Sequence, residues 1–152
     1  MKKQPQSYNG CVLTTIAMLA DISLVEAEQY AKAAAKDMRL AWRGSWWALF
    51  GYLERDNAAN LARGTAERAG LMNFTPVTRV SETVSGVTLA PPDLSGKGQI
   101  SVELPTGGHS MAYANGFIYD ASFLSVEKET WEEYVARAGN NISKVIITRY
   151  KE

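Results

Sequence analysis

His109-Ser110-Met111-Ala112-Tyr113-Ala114-Asn115-Gly116-Phe117-Ile118-Tyr119-Asp120-Ala121-Ser122 reads as two strands joined by a two-residue turn. Alternation marks strands over 110–114 and 117–121. Asn-Gly between them suits a type I′ turn, which needs left-handed backbone at both central residues. With such a turn, Ala114 pairs with Phe117, Met111 with Asp120 and His109 with Ser122. His109 and Asp120 then share a face as diagonal neighbours, about 7 Å apart at the backbone. A one-residue slip would separate them. Outside a site, His109 would be satisfied by a backbone carbonyl and Asp120 solvated at a strand end. Gly107-Gly108 either allows close backbone approach before His109, making Gly108 a candidate substrate-binding position, or simply begins the hairpin.

Around this hairpin the β period dominates the C-terminal half. Strands are expected at 76–80, 99–104 and 144–150, a loop at 85–98, and a short helix at 130–138. The N-terminal half carries a helical period. Cys11-Val12-Leu13-Thr14-Thr15-Ile16-Ala17-Met18-Leu19-Ala20 reads as an apolar helix entered through Asn9-Gly10 and broken at Asp21-Ile22-Ser23. Ser23-Leu24-Val25-Glu26 is a capping box opening an alanine-rich second helix to about residue 38. Ser45 is expected to cap a third helix from 46 to about 55, and a fourth is expected over 58–69, with Gly70 as its stop. Helices followed by a mostly antiparallel sheet imply an α+β fold. The chain reads as one domain, with a helical half at about 1–72 and a sheet half at about 73–152.

Composition narrows the function. Sixteen basic and sixteen acidic residues cancel, so no overall field draws the chain to nucleic acid or anionic lipid, and neither is expected as a partner. No apolar run reaches membrane-span length. Lys2-Lys3 reads as a solvated terminus, and the polar residues after it do not continue as a secretory signal. The one cysteine forms no internal disulfide, and a reducing cytoplasm follows as the expected compartment. A zinc site is not expected from one histidine and one cysteine, and no cofactor is implied.

Those two lone residues lie where cysteine chemistry needs them. Unpaired N–H groups and the positive dipole end at a helix start stabilise a thiolate, so Cys11 is either an activated nucleophile or a small buried hydrophobe. With His109 as base and Asp120 as orienter, Cys11 completes a catalytic triad. An oxyanion donor would come from the cysteine's own N–H and a side-chain amide, either Gln6 or Gln4 looping back across Asn9-Gly10. Trp42, Trp46 and Trp47 cluster in sequence. They read either as core packing or as a substrate wall, with Trp46 the candidate contact. Glu127, Glu129, Glu132 and Glu133 read as the exposed face of the last helix.

The segment Gln6-Ser7-Tyr8-Asn9-Gly10-Cys11, continued by Thr14-Thr15-Ile16-Ala17-Met18-Leu19, resembles the nucleophile segment of papain-like cysteine peptidases. It is most similar to the small bacterial leader-peptide-processing branch. Gly98-Gln99-Ile100-Ser101-Val102, Gly108-His109-Ser110-Met111-Ala112-Tyr113 and Asn115-Gly116-Phe117-Ile118-Tyr119-Asp120 resemble that family's second half. The likeness covers residues 4–20 and 98–122. It departs at Val12, where many relatives have glycine, and in the eleven-residue spacing from His109 to Asp120, shorter than in papain.

The resemblance implies a papain-like fold, its nucleophile helix packed on the sheet. It implies a thiol protease cleaving a peptide or isopeptide amide through a thioester; narrow specificity is expected because a protease without a pro-segment would be hazardous in a cytoplasm. Cys11 would attack, His109 would transfer protons, Asp120 would hold the imidazole, and Gln6 or Gln4 would donate to the oxyanion. The expected partner is a peptide or protein substrate. Two alternatives are an inactive papain-fold binding protein and a transglutaminase-like acyl transferase. Compact size accords with a bacterial or virus-encoded accessory protein, the latter acting in host cytoplasm.

Overall fold

The structure, a computed structural model, describes residues 1–4, 10–71, 75–82, 91–138 and 142–150, with backbone alone for Trp47, Arg55 and 75–82. Among these residues, helices α1 (Cys11–Ala20), α2 (Leu24–Asp37) and α3 (Arg55–Arg68) precede strand β1 (Thr75–Glu82). Strands β2 (Lys97–Leu104), β3 (Gly107–Ala114) and β4 (Phe117–Tyr119) follow, then α4 (Trp131–Ala138) and β5 (Lys144–Tyr150). The fold is α+β. Its sheet has the order β1-β5-β2-β3-β4, with every neighbouring pair antiparallel.

Helix α1 is buried nearly all round, as its apolar composition requires. Leu13 and Ala17 pack against the alanine stripe of α2 (Ala27, Ala31, Ala34, Ala35) and against Leu61 of α3. Ile16, Met18 and Leu19 face the sheet, meeting Ala112 of β3, Tyr119 of β4 and Ala121. The other sheet face, with Ile100, Met111, Tyr113, Ile118 and Val145, is covered by Trp131 and Tyr134 of α4. The sheet therefore lies between α4 and a layer centred on α1. Gly64, unfavourable for helix by propensity, has a packing reason: a Cβ there would come 3.3 Å from the Ala34 Cβ, so its absence lets α3 approach α2.

Local signals set most boundaries. Ser23 accepts from the Glu26 N–H at 3.1 Å, closing the expected cap of α2. Asp21 takes left-handed backbone at φ 54° and ends α1. The expected third helix is replaced by a 3₁₀ segment, Trp46–Gly51, where Ser45 makes no side-chain cap. The Ser45 carbonyl accepts instead from Trp42 Nε1 at 3.0 Å, and Leu49 and Phe50 anchor the segment to the helical core. Without a cap bond, six residues close tighter turns that follow the core surface. The fourth expected helix starts three residues early and β2 two residues early. Strand β4 stops two residues before its expected end, because Asp120 folds back on the Ser122 N–H in an Asx turn.

Candidate active site

Strand β3 carries the expected register. Ala114 pairs with Phe117, Tyr113 with Ile118 and Ala112 with Tyr119. Asn115 and Gly116 both have positive φ, at 52° and 88°, as a type I′ turn demands. Continuing that register brings His109 Nε2 to 2.8 Å from Asp120 Oδ1. Ser122, opposite His109 by the same count, places its Oγ 3.3 Å from Nε2, and its hydroxyl donates to Asp120 Oδ1 at 2.7 Å.

The thiol is brought in by α1 packing on β3. Cys11 is half-buried on the first turn of α1, which carries no acidic residue. Burial pushes its thiol up, but hydrogen bonds from the His109 ring and from the Ser110 and Val12 backbones more than offset this, leaving the pKa below the ordinary thiol value. His109 responds in the opposite sense. Burial lowers it, yet bonds to Asp120 and Cys11 raise its pKa from 6.5 to about 9. For Asp120, burial is outweighed by His109, Ser122 and Arg137, and its carboxyl lies well below the usual range. With Nε2 engaged by Asp120, Nδ1 is the ring nitrogen left for the thiol. These directions favour thiolate beside imidazolium, a nucleophile paired with a proton donor.

The comparisons with protein-family models, curated proteins and solved structures return no match. The geometry stands on its own.

The remaining candidate positions fall differently. Gln4 Nε2 donates to the Ile22 carbonyl at 2.7 Å, just past the C-terminal end of α1. A ten-residue helix is about 15 Å long, so that amide is engaged away from Cys11 and is not the oxyanion donor. Gln6 lies outside the described residues. Trp46 packs against the helical core with Leu49 and Phe50, which accounts for it as structure. Gly108 is exposed and paired with Glu103; a Cβ there would meet only the Val102 carbonyl at 3.9 Å, so no close approach demands glycine. Gly107, at φ 128°, is the glycine the hairpin start requires. Val12 packs into both clusters around α1, which explains an apolar residue after the cysteine.

Three charged residues escaped the sequence reading. Glu129, expected on an exposed helix face, is 4% exposed and precedes α4. Its backbone exchanges hydrogen bonds of 2.7 and 2.9 Å with Ile118, and its carboxylate takes Arg137 at 2.8 and 2.7 Å. Arg137 also donates to Asp120 Oδ2 at 2.8 Å and stacks 3.9 Å from the Phe123 ring. Lys3 is no solvated terminus: Nζ donates to the Phe123 and Val126 carbonyls at 2.7 and 2.6 Å. A signal for Arg137 existed, since it lies three residues after Tyr134, bordering the core stripe of α4.

A groove of about 550 Å³ lined in part by Leu94, Asn115, Gly116 and Trp131 lies at the turn end of the hairpin, opposite His109. It is separate from the Cys11 cluster. Among the described residues no group of three or more His, Cys, Asp or Glu could hold a metal, and no helix is long and apolar enough to cross a membrane.

Proposed function

We propose that this protein is a papain-like cysteine hydrolase, a peptidase of narrow specificity cleaving a peptide or isopeptide amide. The observation carrying the reading is the chain of contacts from the depressed Cys11 thiol through His109 to Asp120. In this mechanism the Cys11 thiolate attacks the carbonyl carbon. His109 gives its proton to the departing amine, leaving a Cys11 thioester. Water, deprotonated by His109, then releases the acid and regenerates the thiol. The Cys11 N–H, in the first turn of α1 and so without an intrahelical acceptor, supplies one oxyanion donor, and Gln6 is the second. A reducing cytoplasm suits an enzyme whose sole cysteine works as a thiol.

Alkylation by iodoacetamide across pH tests this directly, because one cysteine gives one product. Cys11 is expected to react well below the pH of a free thiol, and His109→Ala to return it to an ordinary profile centred at about pH 8.5. A wild-type thiol no faster at pH 6 than that of the urea-unfolded chain refutes the proposal. Mass analysis of peptide digests with and without an added amine distinguishes hydrolysis from acyl transfer.

A further inference from the structure

The carboxylate that holds His109 is itself held. Asp120 Oδ1 accepts from His109, the Ser122 N–H and Ser122 Oγ, and Oδ2 accepts from Arg137. Arg137 is gripped in turn by both oxygens of the buried Glu129. A general acid must surrender its proton, and an unshared buried carboxylate would fix that proton on the imidazole too firmly. A guanidinium on the opposite carboxylate oxygen repels the imidazolium and shares the negative charge. We propose that Arg137, tensioned by Glu129, is a positioning residue that limits the hold of Asp120 on the His109 proton and so sets the pH range of the site.

The inference rests on the hydrolase reading for its purpose, but its charge logic can be measured without any substrate. Other groups facing the cluster are accounted for. On α1, Cys11 faces His109. From the N-terminal segment, Lys3 interacts with Asp120, Glu129, Arg137 and Glu127; burial lowers its pKa, and the three carboxylates oppose that. On α4, Tyr134 is neutral, its phenol pushed up to about 12 by burial. Ser122 is uncharged. Arg137 and Glu129 are therefore the pair of opposite charges closest in the hydrogen-bond chain behind Asp120.

The test is an NMR titration of the imidazole, unambiguous because His109 is the only histidine. Arg137→Gln removes the repelling cation and is expected to raise the His109 midpoint. Glu129→Gln frees Arg137 to act more strongly and is expected to lower it. Each shift should be on the order of one pH unit. Arg137→Lys, which keeps the charge, should stay near wild type, and the double variant Arg137→Gln/Glu129→Gln, which leaves Glu129 no cation to act through, should be raised as in Arg137→Gln. A purely structural role predicts instead that all four variants loosen the site and drift together towards 6.5, the ordinary histidine value. Should a single variant not fold, the double variant still decides: a raised midpoint supports the inference, and one at or below the wild-type value overturns it. A wild-type His109 that already titrates near 6.5 overturns the active-site reading itself, a result distinct from unchanged variants around a raised wild-type value.

Discussion

Asp120→Asn removes one charge from the centre of the cluster. The Asp120 side chain is 2% exposed, and its partners His109 and Arg137 are 16% and 27% exposed. Asparagine keeps the size and one carbonyl oxygen, but turns an NH2 group towards donors on one side: either His109 and Ser122, or Arg137. At least one charge-assisted hydrogen bond is lost, worth about 1.5–3 kcal/mol. Removing one partner of a buried ion pair costs about 3–5 kcal/mol. Partial exposure of both cations places the expected loss near the lower end, about 3 kcal/mol at pH 6.

Urea unfolding measures this loss, with Cys11→Ser in both proteins so that thiol ionisation does not contribute. The pH dependence has a defined sign. Asp120 is depressed in the folded state, so its stabilisation is present above the unfolded carboxyl value and declines as pH falls below it. The gap between the two proteins should narrow by about 1 kcal/mol between pH 5 and pH 3. His109 is raised, so its share is complete below 6.5 and fades as pH climbs towards the folded value, about 9 in the intact site and lower once Cys11 is replaced. The gap should thus be widest between about pH 4.5 and 6. A loss under about 1 kcal/mol at pH 6, or one that is flat from pH 6 to pH 3, would refute the picture of a buried, cation-paired carboxylate.

Two further substitutions probe the scaffold that brings the site together. Thr14 is fully buried on α1, and its hydroxyl has no hydrogen-bond partner among the described residues. Thr14→Val should therefore stabilise the protein by about 1 kcal/mol in urea titrations, and destabilisation of that size would mean that the hydroxyl is satisfied. Gly98 lies in β2, where an added Cβ would fall on the Thr148 carbonyl oxygen and come 2.8 Å from the Tyr113 ring. Gly98→Ala should cost about 2–3 kcal/mol, read as a lowered thermal midpoint, and a neutral result would contradict the packing of β2 on β5.

The hairpin shows how much of the site was legible in advance. Its turn residues and alternation determine the register from sequence neighbours alone, and the register brings His109 to Asp120. The cap at Ser23 was legible for the same reason, since donor and acceptor are three residues apart. The 3₁₀ segment at Trp46–Gly51 was not, because Leu49 and Phe50 settle its path through contacts with α1 and α2. Glu129 likewise looked like one of several acidic residues near a helix. Only its bridge to Ile118 and the reach of Arg137 make it a buried partner.

Sequence by itself determined most element types, the β3–β4 register and the identity of the lone thiol and lone imidazole, since backbone preference and side-chain period act over a few residues. Tertiary structure alone decided that α1 lies on β3 with Cys11 beside His109, that Gln4 turns to Ile22, and that Lys3, Glu129 and Arg137 gather around Asp120. Charges distant in sequence find one another only after apolar burial has fixed where the elements meet, because the burial of α1 and α4 against opposite sheet faces is what sets those distances.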